Sequence, residues 1–125
     1  MQRLALVCLG GALGSGMRYL VTIGAARYVG AEFPWGTLFV NLAGAFLIGL
    51  VQQLAFTHVV SEDNRLLLST GVLGGLTTYS AFTYETVRLA QIGAWRAAAL
   101  NVGITTVLCL GLCVGGMALG RLLTR

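Results

Sequence analysis

The sequence predicts an all-α integral membrane protein with four transmembrane helices, the third of them broken, in one domain covering residues 1–125. Three observations carry that reading. The first is composition: 57% of the residues are hydrophobic and 10% are charged, where soluble domains carry about 25% charged residues. A chain this small leaves much of its surface uncovered when it folds, and eight basic and four acidic side chains cannot keep that surface in water. Its solvent is lipid. The second is charge spacing: residues 33–61, 66–84 and 97–120 contain no Asp, Glu, Lys or Arg, and a helix needs about 20 apolar residues to cross the hydrocarbon core. The third is a cluster of small and polar residues inside the third run.

The first helix is expected at about 4–28. Residues 4–17 are uncharged, and the span reaches 28 only by taking Arg18 inside it. Arg3 followed by an apolar stretch has the look of a signal peptide, but three further spans and no clear cleavage signal favour an uncleaved helix. Gly10 with Gly14, and Gly11 with Ser15, place small residues four apart, which lets two helix backbones approach closely in lipid. The second helix is expected at about 34–58. Pro34 suits a helix start, where its missing N–H costs nothing, and Trp35 suits the membrane interface. His58 reads as an interfacial residue at the helix end.

The polar stretch 61–65 is a loop, and a third helix follows at about 66–91. Its middle, GVLGGLTTYS over 71–80, brings three glycines, two threonines and a serine into the hydrocarbon. Each glycine costs about 1 kcal/mol in a helix interior. A break is the economical reading, and such backbone is tolerated at membrane depth only where it is buried in protein or lines a watery cavity. Broken helices of this kind bind ions in transporters and channels. Composition alone leaves open a glycine-rich packing seam whose threonines bond back to their own helix. After a tight turn at 92–94, the fourth helix is expected at about 95–122, with Gly111 and Gly115, then Gly116 and Gly120, repeating the small-residue pairs.

Four spans place Arg3, Arg65, Arg121 and Arg125 on one side and Arg27, Arg88 and Arg96 on the other. Orientation normally follows the excess of Lys and Arg on the cytoplasmic side. Four against three gives no such excess, so the expectation is dual topology, with two copies paired antiparallel as a homodimer; the alternative is one orientation set by Arg3 and the C-terminal pair of arginines. The net charge of +4 is scattered singly at span ends, which suits interfacial anchors and excludes a nucleic-acid patch. Cys8, Cys109 and Cys113 have no metal-ligand spacing and read as packing residues.

Membrane-embedded polar groups are the candidates for function. They are Arg18, Asn41, Thr77, Thr78, Ser80, Glu85, Asn101, Thr105 and Thr106. Most are neutral hydrogen-bonding groups, and there is no nucleophilic triad, carboxylate pair, metal cluster or phosphate loop. An enzyme is not expected; ion or solute passage is. Asn101 and Thr105 share a helix face with Cys109, as a pore wall would. Tyr79 and Phe82 share another, and aromatic edges carry partial positive charge that can meet an anion, although for a bare pair of rings ordinary core packing is the simpler explanation. Glu85 and Arg88, three apart, suggest a local ion pair. Arg18 either snorkels to the interface or raises the anion concentration at the mouth of a polar pathway.

Three segments together resemble the Fluc/CrcB fluoride channels: GGALGSGMRY at 10–19, GTLFVNLAGAF at 36–46 and GGLTTYSAFTYE at 74–85. The resemblance spans three of the four helices in order and spacing, and is weakest in the fourth. It implies an antiparallel dual-topology homodimer with two fluoride pathways and a structural sodium ion (Na+) at its centre. Asn41 is then similar to the family's pore asparagine, and Tyr79 and Phe82 to two phenylalanines whose edges face fluoride. Gly74 and Thr77 match the residues whose carbonyls hold sodium. Arg18 matches the arginine of the first helix, Glu85 the glutamate after the break, and Ser80 joins the pathway. Asn101 stands where a tyrosine is common and Thr105 where a serine is common. Two departures are Tyr79, which adds a hydroxyl to a ring position, and Ala81, which removes a frequent threonine hydroxyl.

The expected function is therefore a fluoride-selective channel in the inner membrane that releases fluoride from the cytoplasm passively and protects against its toxicity. The partners are fluoride, sodium, the bilayer and a second copy. The rival is a small four-helix, dual-topology exporter that exchanges cationic compounds for protons. That chemistry needs a carboxylate in the first span, and this span has only Arg18.

Overall fold

The computed structural model describes residues 1–125, and every regular element in it is helical. In chain order these are α1 (Gln2–Tyr28), α2 (Trp35–Phe56), the single turn α3 (Glu62–Arg65), a π-helix (Leu66–Leu73), α4 (Gly74–Leu76), α5 (Tyr79–Gln91) and α6 (Trp95–Leu123). Three of them, α1, α2 and α6, are long and apolar enough to cross a membrane, with mean hydropathies of 1.5, 1.8 and 2.1. The stretch expected as a third long helix is divided into the π-helix, α4 and α5, with Thr77 and Thr78 between the last two. Its first part is wound as a π-helix, which hydrophobic periodicity does not signal. There Ser69 Oγ takes the carbonyl of Arg65 at 2.6 Å, so a side chain competes for the backbone acceptor one turn earlier.

Local chemistry sets the ends. Pro34 caps α2, and Leu38 N–H bonds its carbonyl at 3.0 Å. The other end of α2 closes on His58 at φ 59°, where Val59 and Val60 N–H both return to the Leu54 carbonyl. That left-handed position after a helix usually falls to glycine or asparagine. Ser61 caps α3, its Oγ accepting from Asn64 N–H at 3.3 Å. Glu62 and Asp63 beside it both meet Arg3, at 3.0 and 3.2 Å, tying the start of α1 to the start of the divided stretch. The α5–α6 turn uses Gly93 at φ 82°.

Packing follows the small residues. Gly10 and Gly14 of α1 lie against the backbone of the π-helix, and a Cβ at Gly14 would strike the Val72 carbonyl. In return, a Cβ on Gly75 would come to 2.5 Å from the Gly11 carbonyl. The α2–α6 crossing is built the same way, with Gly49 on the Cys113 carbonyl and Gly116 on the Phe46 carbonyl. Within the chain, of the two pairs on α6 only Gly116 and Gly120 are in contact; Gly111 and Gly115 lie on its outer surface. The shared core is small, with Val40, Leu73 and Leu76 buried and Ile48 packed on them.

Candidate functional site

Between α4 and α5 the backbone leaves helical geometry for two residues. Thr77 stands at φ −79°, ψ 155° and Thr78 at φ −154°, ψ 118°, both extended. Two side chains hold that conformation. The amide of Asn41, on α2, grips the main chain of Thr78 at both ends: Thr78 N–H donates to Asn41 Oδ1 at 2.8 Å, and Asn41 Nδ2 donates to the Thr78 carbonyl at 3.0 Å. Thr78 Oγ1 then caps α5, accepting from Ala81 N–H at 3.2 Å. Gly44 of α2 makes room for this arrangement, because a Cβ there would occupy the site of the Thr77 methyl group.

The consequence lies in the carbonyls. In a continuous helix Gly74 C=O would accept from Thr78 N–H and Thr77 C=O from Ala81 N–H. The first of those donors is bonded to Asn41 and the second to Thr78 Oγ1. Across the break the carbonyls of Gly75 and Leu76 also lose their helical donors, but of the four it is Gly74 and Thr77 that belong to the wall of one cavity.

That cavity has a volume of about 560 Å³, and its wall includes Asn41, Thr78, Tyr79, Phe82, Thr105 and Cys109. No charged side chain lines it. The rings of Tyr79 and Phe82 are 5.5 Å apart and inclined at 47°, so neither face lies flat on the other. Phe82 is buried, whereas Tyr79 is 80% exposed. Thr77 Oγ1 donates back to the Leu73 carbonyl at 2.9 Å, as the packing-seam alternative expects of a helical threonine. Ser80 is exposed outside the wall, its Oγ 3.2 Å from Thr78 Oγ1.

The structure thus gathers Asn41, Gly74, Thr77, Tyr79, Phe82 and Thr105 around one space, and it separates others. Asn101 does not line the wall; it is buried behind Thr105, with Nδ2 donating to Thr86 Oγ1 at 2.8 Å. Arg18 lies half-buried on α1, away from the cavity. The local ion pair expected of Glu85 and Arg88 is absent: the only ion pairs are those of Arg3. Glu85 Oε1 instead accepts from Thr37 Oγ1 at 2.8 Å, and Oε2 is buried without a partner. A neutral hydroxyl one helix away takes the place of the arginine on its own helix.

Sequence reasoning missed Thr37 and Thr86. Each had a positional signal: Thr37 is four residues before Asn41, and Thr86 four after Phe82, so each shares a face with a residue already singled out. The assembled wall brings together one amide, several hydroxyls, two aromatic rings and two residues with freed carbonyls in a mostly apolar surface. It holds no nucleophile paired with a base, and the molecule has no group of three His, Cys, Asp or Glu side chains. Its chemistry is that of partial charges placed to replace the hydration of an ion.

The CrcB-like protein, Camphor Resistance (CrcB) family profile matches residues 5–117. A fluoride-specific ion channel FluC of Anaeromyxobacter sp. (strain K) is 51% identical over 111 residues, 88% of each chain. One of Sorangium cellulosum (strain So ce56) is 46% identical over 122 residues, 97% of this chain and 96% of its own. A third, of Chelativorans sp. (strain BNC1), is 54% identical over 99 residues, 78% of this chain and 79% of its own. With nearly the whole length matched, the chain belongs to the CrcB family.

Proposed function

We propose that this protein is a fluoride-selective channel that lets fluoride leave the cytoplasm passively. The observation that carries the reading is the uncharged, mostly apolar cavity, with one amide and a few hydroxyls on its wall, beside the extended pair Thr77–Thr78, in a chain similar along most of its length to fluoride-specific ion channels. Fluoride is small and strongly hydrated, so it sheds water only where donors replace that water. A fixed cation in the wall would hold it too tightly, and several weak donors let it pass. An amide nitrogen carries two protons. One of those on Asn41 is engaged with Thr78 and the other is available to an anion. Thr105 and the edge of Phe82 complete the wall, Tyr79 adds a second ring with a hydroxyl, and Ser80 extends the polar track. Arg18, off the wall, serves by attracting anions toward the mouth.

In this reading the 66–91 stretch is the fourth crossing and is broken at Thr77–Thr78, and the active form is an antiparallel homodimer of dual topology in the inner membrane. The near-even split of arginines supports that, as does a wall built from one chain in which Tyr79 stays 80% exposed. A sodium ion fits the carbonyls of Gly74 and Thr77, which are hard neutral oxygens without helical donors; the thiol of Cys109 on the same wall stands alone, with no imidazole, carboxylate or second thiol to make a soft-metal site. When bound, it supplies positive charge that ties together the breaks of two copies. Nothing favours the proton-coupled exporter of cations: α1 contains no carboxylate.

The test is fluoride efflux from proteoliposomes with no proton gradient, followed with a fluoride electrode. Rapid passive efflux is the expected outcome. Protein-free rates would sink the channel, and efflux only on imposing a proton gradient would make it an exchanger.

A further inference from the structure

Asn101 is the most deeply buried side chain of the molecule, at 1% exposure, and its two ends are held unequally. On one side Nδ2 donates to Thr86 Oγ1 at 2.8 Å, and Thr86 Oγ1 donates in turn to the Phe82 carbonyl at 2.7 Å. On the other, Thr105 Oγ1 reaches Asn101 Oδ1 only at 3.5 Å, the outer limit of a hydrogen bond. All three donors point the same way. The chain they form runs from Thr105 on the α6 wall, through Asn101 and Thr86, to the backbone of Phe82 on the α5 wall.

Thr86 is the joint in that chain. Thr83 makes the same bond to the carbonyl four residues back, at 2.9 Å to Tyr79, but is exposed and meets nothing further. Such back-bonding alone is local to one helix. Thr86 differs because its lone pair is taken by a side chain of α6, and this is the one side-chain hydrogen bond between the two helices. Since Phe82 lies one turn earlier on the same face, a rotation of α5 that breaks the bond also turns the ring. Breaking it is costly, for it leaves a buried amide without its close acceptor.

We propose that Thr86 is a positioning residue for the Phe82 ring, acting with Asn101 as a latch between α5 and α6. The inference rests on the reading of the cavity as the fluoride pathway. Asn101 then works through its neighbours without facing the ion, while Thr105, on its long bond, keeps a proton that is free to turn toward the cavity.

The experiment places 4-fluorophenylalanine at position 82 of the full-length protein. It compares wild type, Thr86→Val, Thr86→Ser and Thr86→Val/Asn101→Leu by fluorine NMR and by fluoride efflux. Valine keeps the shape of threonine and removes both bonds; serine keeps both. The expected result is a shifted or broadened resonance and about tenfold slower efflux in Thr86→Val with the dimer retained, as misplacing a reacting or coordinating group costs at least that much. Thr86→Ser restores both readouts, and the double variant is no slower than the slower single one, because the latch is already open. A wild-type resonance in Thr86→Val overturns the latch, as does a Thr86→Ser variant that behaves like Thr86→Val. Should wild-type protein pass no fluoride, the channel reading fails and the resonance alone decides the latch. Should Thr86→Val not fold, Asn101→Leu alone opens the latch from the other side and is judged by the same resonance.

Discussion

Two seams of this molecule are built on opposite principles. Where α1 meets the π-helix and α4, backbones touch backbones: Gly10, Gly14, Gly71 and Gly75 leave no side chain between them. Where α2 and α6 meet the chain from Thr78 onward, side chains hold the contact through Asn41 on Thr78, Thr37 on Glu85 and Asn101 on Thr86. In lipid, where there is no hydrophobic drive between helices, close van der Waals contact supplies association. Polar groups raise cost and specificity there, and so belong where an ion must be met. The glycine seam joins backbones; on the proposed function, the polar seam is where the ion passes.

The glycine seam is most vulnerable at Gly14. Gly14→Val drives a branched side chain into the Val72 carbonyl, which cannot yield without separating two helices. The cost exceeds the ~1–3 kcal/mol of ordinary overpacking, and the expected result is loss of folded dimer on size-exclusion chromatography. A variant that keeps both dimer and efflux would show the seam to be slack.

Phe82→Ile strikes the other seam. Isoleucine keeps bulk but loses the positive ring edge, so the dimer should survive while fluoride efflux falls at least about tenfold, the equivalent of ~1.4 kcal/mol. Wild-type efflux would return the ring to packing. The smallest effect belongs to Arg3, whose partners and own side chain are all more than half exposed. Arg3→Gln should cost no more than about 1 kcal/mol, read as a thermal midpoint shift that shrinks with added salt, and should leave efflux unchanged. A loss comparable to that of Gly14→Val would mean that the ion pairs, and not the glycines, secure α1.

The two seams also differed in how legible they were. Gly10 with Gly14 and Gly116 with Gly120 are visible because small residues four apart need no partner to be named before their role is clear. Even so, Gly111 and Gly115 carry the same spacing and meet no other part of their own chain, since spacing names a face without saying what lies opposite it. In the polar seam, composition picked out Asn41, Tyr79, Phe82 and Thr105, and the resemblance supplied Gly74. Neither gave the reason Gly74 and Thr77 have freed carbonyls, which depends on an amide more than thirty residues upstream and on the Thr78 hydroxyl. Glu85 was misjudged for the same reason. Arg88 is its neighbour along the helix, but Thr37 is its neighbour in space. The π-helix left no trace in the apolar pattern, because its residues are apolar on nearly every side.

If the polar seam carries the ion, as proposed, Asn41 is the residue whose alteration must show it most directly. Asn41→Asp is nearly isosteric and can still accept from Thr78 N–H, but an ionised carboxylate donates neither to the Thr78 carbonyl nor to an anion. Fluoride efflux and dimer mass are to be measured on the same purified preparation, beside wild type. The account predicts an intact dimer whose efflux is indistinguishable from protein-free liposomes. An intact dimer of Asn41→Asp that passes fluoride at the wild-type rate would contradict it and remove the polar seam from the path of the ion.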